Sequence, residues 1–166
     1  MTLCKSFAPV ADEKSKILIL GSMPGKKSLE MQQYYAYPQN RFWRLLALLL
    51  DGKLPVSYAD KITMLQKNHI ALWDVLAYCE REGSLDSDIK NEVPNDIAGL
   101  LKAHRQIKAV FCNGGKAGTA FKKYFAKNLP VDLPVYYLHS TSPANARMRL
   151  EDLAAEWQII LKYLHN

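Results

Sequence analysis

Four short stretches of this chain carry side chains able to work on a flat, polar ligand. Residues 32–43, QQYYAYPQNRFW, set Tyr34, Tyr35 and Tyr37 ahead of Pro38, with Asn40 just beyond it. Pro38 disfavours regular helix before it, and three such rings cannot all be buried cheaply. Flat rings in a loop suit stacking on a planar ligand, of which a nucleobase is the obvious example. Asn40 beside them is uncharged and can both donate and accept. Phe42 and Trp43, which open the following helix, read as core.

Residues 112–118, CNGGKAG, place Asn113 ahead of paired glycines. Its carboxamide could pair with the Watson–Crick edge of a base while Gly114 and Gly115 let backbone come close, or it could cap the next helix. Lys116 is a phosphate candidate. Residues 139–147, HSTSPANAR, gather Ser140, Thr141, Ser142, Pro143, Ala144 and Asn145 ahead of Arg147, with Arg149 beyond. Hydroxyls, amides and arginines of this kind contact phosphates, and a short Pro-containing loop also suits a wedge into a duplex. The alternative is a cap around Ser142. Finally GSMPG, residues 21–25, offers the amides of Gly21, Ser22 and Met23 to an anion or a ligand carbonyl, or is a plain turn. It has neither the Walker pattern nor GxGxxG.

These loops show no Ser/His/Asp grouping and no paired carboxylates, so the expected chemistry proceeds without a strong nucleophile. His139 is the histidine in a candidate site; His69, His104 and His165 look unremarkable. Cys4, Cys79 and Cys112 lie far apart in sequence, with no CxxC pair, which disfavours a disulfide framework, a zinc site and an iron–sulfur cluster. No metal is expected.

The elements that must hold these loops follow from apolar patterning. Short branched runs at 16–21, in the first half of 69–79, at 107–113 and at 134–140 read as buried strands. Helices are expected over 41–52 with a stop at Gly52, over 59–68, from about Pro94 to His104 with Asn95 and Asp96 in the first turn, over 114–127, and in the closing segment 149–166. Alternating strands and helices imply an α/β three-layer sandwich: a central, mainly parallel four-stranded sheet with helices on both faces. Ligands of such sheets sit beyond the carboxyl ends of the strands, where the loops after LILG, VFCN and YYLHS converge.

At 166 residues the chain is expected to be one domain, 1–166, with residues 1–15 as an N-terminal lead-in. The longest apolar runs, such as LLALLL, are too short to cross a bilayer, and the N-terminus lacks the apolar region of a secretory signal. An intracellular, cytoplasmic protein with no membrane partner is expected. The formal charge of +6 and pI near 9.2 permit a polyanionic partner.

The motifs GSMPG, QQYYAYPQNRFW and STSPANA, together with ALWDVLAYCEREGSLDSDI, resemble the uracil-DNA glycosylase superfamily, and within it the hypoxanthine (deoxyinosine) branch. The resemblance runs from about Ile17 to the closing helix. It implies an α/β fold of that type, monofunctional base excision from double-stranded DNA holding a deaminated base, no metal or organic cofactor, and action as a monomer near the nucleoid of a prokaryote. Carried over by position, Asn40 would be the catalytic residue, with Asn113 in the base pocket and Tyr35 under the flipped base. Gly21, Ser22 and Met23 would line that pocket, and Ser140 to Ala146 would grip the strand. The sequence departs from relatives in two places. Met23 stands where mismatch-specific enzymes carry an asparagine, shifting the work to Asn40, and His139 stands where relatives have proline. Other readings are a uracil- or mismatch-preferring glycosylase, a nucleoside- or nucleotide-binding or hydrolysing domain, and a lesion-recognition protein that flips bases without cutting.

Overall fold

A computed structural model describes residues 2–50, 52–130 and 132–165. The expectations for Asp51 in the second helix and Asn166 in the closing one lie outside the described residues. The strands that the apolar runs predicted are β2 (Ile17–Gly21), β3 (Ile70–Asp74), β6 (Ala109–Asn113) and β7 (Val135–Leu138). They form a four-stranded sheet of order β3-β2-β6-β7, parallel throughout. Every residue of β2 and β6 is buried, as continuous apolar strands covered on both faces must be.

Side-chain alternation sorts these strands between two cores. Ile17, Ile19, Leu72 and Phe111 face one layer, made by α2 (Phe42–Leu50), α3 (Tyr58–Lys67), α6 (Leu150–Trp157) and α7 (Leu161–Leu164). Leu18, Leu20, Val110 and Cys112 face the other, where α4 (Ile97–Ala103) and α5 (Gly115–Phe125) pack. Phe42 and Trp43 are core residues, as expected. Gly52 does end α2: its φ is 80° and its amide donates back to the Ala47 carbonyl.

Three features differ from the expectations. A second sheet, β1-β4-β5, is antiparallel and built from β1 (Leu3–Lys5), β4 (Leu76–Glu80) and β5 (Lys90–Pro94). Its strands are short and β5 is largely solvated, so apolar periodicity did not mark it. Cys4 and Cys79, remote in sequence, are cross-strand partners there, both as buried free thiols. Pro94 ends β5 instead of opening a helix; α4 starts at Ile97, capped by the Asp96 carboxylate, which accepts from the Gly99 amide. A short helix, α1 (Lys26–Met31), follows the first strand's turn.

The chain passes from one sheet to the other at Val75, whose amide donates to the Gly21 carbonyl while the Leu76 amide donates to that of Ser22. Asn95 fastens this crossing. Its backbone amide donates to the Val75 carbonyl, and its side-chain Nδ2 lies 2.9 Å from the Asp74 carbonyl and 3.1 Å from that of Leu76. The end of β3 is thereby fixed in place. Asn95→Ala should destabilise the fold by roughly 1–3 kcal/mol in denaturant unfolding, because carbonyls at the crossing lose their donor.

Candidate active site

The central strands end in a row: Asp74 on β3, Gly21 on β2, Asn113 on β6 and Leu138 on β7. Beyond them lies a cleft of about 1250 Å3, bordered by every one of the expected base-pocket residues. Its most buried part is a hydrogen-bond circuit centred on Thr141. The Thr141 hydroxyl donates to Asn40 Oδ1 (2.8 Å) and accepts from Asn113 Nδ2 (3.1 Å), while its amide donates to Asn113 Oδ1 (3.0 Å). Asn113 Nδ2 also donates to the Tyr35 hydroxyl (3.1 Å). Thr141, expected on the strand-gripping surface, is instead fully buried and cannot touch a phosphate.

The circuit assigns the two carboxamides different capacities. Both hydrogens of Asn113 Nδ2 are engaged within the protein, so it offers a ligand only the remaining lone pair of Oδ1. Asn40 Oδ1 accepts from Thr141 and from the Phe42 amide at the start of α2 (2.9 Å), which saturates it. Nothing among the described residues accepts from Asn40 Nδ2, so this side chain meets the cleft as a donor.

The three tyrosines separate. Tyr34 is buried, its hydroxyl donating to the Ala8 carbonyl. Tyr37 is half exposed on the rim. Tyr35 borders the cleft at φ 53°, a left-handed conformation that costs a non-glycine residue about 1–2 kcal/mol. Stacking on Phe42, with centroids 4.0 Å apart, and the bond from Asn113 hold it there. Phe42 covers one face of the ring, and the residue is half-buried at the cleft. Burial, and then the charge of Asp74, pushes the Tyr35 hydroxyl above its ordinary range.

The first turn borders the cleft with side chains engaged within the protein. Met23 is buried in the apolar cluster on the α4 and α5 side, and the Ser22 hydroxyl donates to Asp86 Oδ1 (2.7 Å). Gly21 is needed for close approach: a Cβ there would sit 2.5 Å from Asp74 Oδ1 and 2.8 Å from the Tyr35 hydroxyl oxygen.

Asp74 and Asp86, which the sequence reading did not select, also border the cleft; both lie outside the loops in which no paired carboxylates were expected. Asp74 is 4% exposed, and its Oδ2 is buried with no hydrogen-bond partner among the described residues. Burial first, then the Asp86 charge, push its carboxyl up to about 7, with Arg81 acting in the opposite direction. Asp74 ends a strand that the apolar pattern had already identified. The carboxyl-end rule, applied to that strand as to its neighbours, would have found it.

The loop between β7 and α6 is shaped from within. Ser140 and Ser142 hydroxyls accept from the Ser142 and Ala144 amides, and Asn145 Nδ2 donates to the Ser140 carbonyl. Ser142 therefore caps the loop's own turn, not a helix. Arg41 clamps it all, donating from its guanidinium to the carbonyls of Thr141, Ser142, Asn145 and Met148. Pro143, Ala144 and Arg147 stay exposed. His139 is held by Glu156, its amide donating to Oε1 (2.8 Å) and its Nδ1 lying 2.7 Å from Oε2. Lys116, the phosphate candidate, pairs with Glu92. Lys26, Lys27 and Lys122 line the cleft.

Two expectations follow from these contacts. Arg41→Lys keeps the charge but loses the planar fork, and should cost about 1–3 kcal/mol in denaturant unfolding. For Asp74, the native carboxyl titrates near 7 and the ordinary value is 3.8. Between those values the native state retains a proton that the unfolded chain has lost, so this group erodes stability as pH rises and its full cost stands above about 7. Thermal melts of Asp74→Asn should therefore show a larger gain in Tm over the parent at pH about 8 than at pH about 5.

Residues 8–164 match the Uracil DNA glycosylase superfamily. The chain is 36% identical over 160 residues to a protein of Methanosarcina acetivorans named hypoxanthine DNA glycosylase, covering 96% of this chain and 98% of that one. A second protein of the same name, from Methanosarcina barkeri, is 42% identical over 115 residues, covering 69% of this chain and 73% of that one. The solution NMR structure of a candidate uracil DNA glycosylase from Methanosarcina acetivorans superposes with a TM-score of 0.84 at 35% identity, covering 99% of this chain and 100% of that one. With its sheet order, its strand-end cleft and these matches over nearly its whole length, the chain belongs to the uracil DNA glycosylase superfamily.

Proposed function

We propose that this chain is a monofunctional DNA glycosylase that excises hypoxanthine from deoxyinosine in duplex DNA. The observation that carries the reading is the pairing, in one cleft, of the free donor of Asn40 with the ring of Tyr35. The name borne by the two Methanosarcina relatives agrees with it.

A base inside the stack presents no accessible glycosidic bond, so the nucleotide must first rotate out, at a cost of a few kcal/mol that is least where pairing is already poor. A deaminated adenine is such a case, because its carbonyl no longer matches thymine. The Tyr35 ring at the cleft gives the extruded purine a new stack, and the lysines there draw in the flanking phosphates. Bond cleavage passes through an oxocarbenium-like transition state, in which charge develops on the departing base and on the sugar. Asn40 donates from Nδ2 and holds a water by its oxygen; its saturated Oδ1 cannot take that water's proton. Its contribution is orientation, supplied by a group fixed before substrate arrives.

Single-turnover excision, scored by strand breakage after alkali, tests the reading on matched duplexes holding inosine, uracil or xanthine. Inosine should be cut fastest, and Asn40→Ala should abolish cutting while duplex binding survives. A strong uracil preference, or retained single-turnover cutting by the variant, would overturn it. Removing the shelf by Tyr35→Ala should weaken engagement by about 1–3 kcal/mol, read from the dependence of that rate on enzyme concentration.

A further inference from the structure

We propose that Asp74 is the general acid of the reaction, handing a proton to N7 of the purine as the glycosidic bond breaks. The inference rests on the hypoxanthine reading above and adds a role at the same cleft. A purine that leaves as an anion on N9 is a poor leaving group; one protonated on N7 leaves neutral. Positioned proton donors typically contribute about 10²–10⁴-fold to such steps.

The cleft contains few groups that could give that proton. Asn40 and Asn113 are carboxamides. The Tyr35 hydroxyl is pushed above its ordinary range and accepts from Asn113. Asp86 accepts from Ser22, His139 is tied to Glu156, Lys122 lies over the Tyr137 ring at 4.3 Å from its centroid, and Lys26 and Lys27 are exposed to solvent at the start of α1. Asp74 differs from all of these. It ends β3 in register with Gly21, it borders the cleft, and one of its oxygens is buried with no partner among the described residues.

A carboxylate oxygen buried without a donor is unfavourable, and the neutral acid removes that cost while presenting an O–H. The surroundings work the same way. Asp86, from the 3-10 turn Asp86–Asp88, opposes a second negative charge; Tyr34 and Tyr35 present neutral hydroxyls; Arg81, at the end of β4, favours the charge but acts less strongly than burial and Asp86. Arg81 donates from Nη2 to the Pro24 carbonyl, and its Nε and Nη1 are buried with no hydrogen-bond partner among the described residues, so no ion pair to Asp74 holds the carboxylate form.

The step balances as a hydrolysis. The C1′–N9 bond breaks with its electron pair going to the base, and the Asp74 proton passes to N7, so hypoxanthine departs neutral as the N7–H tautomer. The water held by Asn40 forms the new C1′–O bond and releases one proton to solvent, and Asp74 recovers a proton from solvent once the product has left. A pyrimidine has no N7 to receive this proton, so the acid favours purine lesions.

Single-turnover excision of hypoxanthine across a pH series, with the parent and Asp74→Asn, tests the assignment. A duplex carrying 7-deazahypoxanthine, which lacks N7, reports binding. The parent rate should fall as pH rises through about 7, and Asp74→Asn should be slower by roughly 100-fold or more with a flat profile. Binding of the 7-deaza duplex should stay within about threefold of the parent, since folding and stacking are retained. Three results would overturn the role: a parent rate that rises with pH (a base), a variant that cuts about as fast as the parent, or a variant that loses the 7-deaza duplex (a base-holding residue). If the parent does not cut hypoxanthine at all, the broader reading of function fails instead.

Discussion

The site depends on one buried hydroxyl. Thr141 receives a hydrogen bond from Asn113, at the end of β6, and gives one to Asn40, at the mouth of α2. Two elements far apart in sequence, on different layers of the sandwich, are thereby referred to a common point. Because Thr141 has no solvent contact, each of these bonds forms in a low-dielectric setting where loss of a partner is expensive. The circuit fixes the orientation of Asn40, so the donor that faces the cleft is selected by the protein before any ligand arrives. It also explains why Arg41 lies where it does: the clamp on the Thr141–Met148 carbonyls holds the loop that carries the hub.

The opposite wall follows a different logic. Asp74 is placed by backbone pairing, in register with Gly21 at the end of a parallel strand and anchored behind by Asn95. A carboxyl placed this way cannot swing out to water, so burial acts on its proton affinity and the fold bears the cost. Gly21 belongs to the same arrangement, since any side chain there would occupy the space in which Asp74 and the Tyr35 hydroxyl converge. Gly114 does the equivalent across the cleft, at φ 99° and with Ser140 Cβ only 3.0 Å from where its own Cβ would lie. The glycines of the first and second loops thus serve the packing of side chains against the strand ends.

Much of this was legible in the sequence, for identifiable reasons. β2, β3 and β6 are continuous apolar runs because both of their faces are covered; β7, at the sheet edge, is only partly buried yet keeps an apolar and aromatic run. The small antiparallel sheet escaped because its pairing is non-local and β5 is too solvated to leave a periodic trace. At the site, residue types announced Asn40, Tyr35 and Asn113, yet their roles depended on which hydrogen-bonding groups remain free. Nothing in a one-letter code tells that Thr141 is a hub and not a phosphate contact. Asp74 was not legible because a single aspartate closing a strand has no unusual composition around it to mark it. Arg41, adjacent to Asn40, drew no assignment from the sequence; its partners are backbone carbonyls a hundred or more residues away.

Met23 borders the cleft and is itself buried. In the resemblance to mismatch-specific glycosylases, this position of the first turn carries an asparagine, and here an apolar side chain packs into the core instead. The turn therefore brings no carboxamide of its own. Its backbone passes over the end of β3, with the Gly21 and Ser22 carbonyls accepting from Val75 and Leu76. The donor offered to the cleft from this side therefore comes from Asn40, since both hydrogens of Asn113 Nδ2 are engaged within the protein.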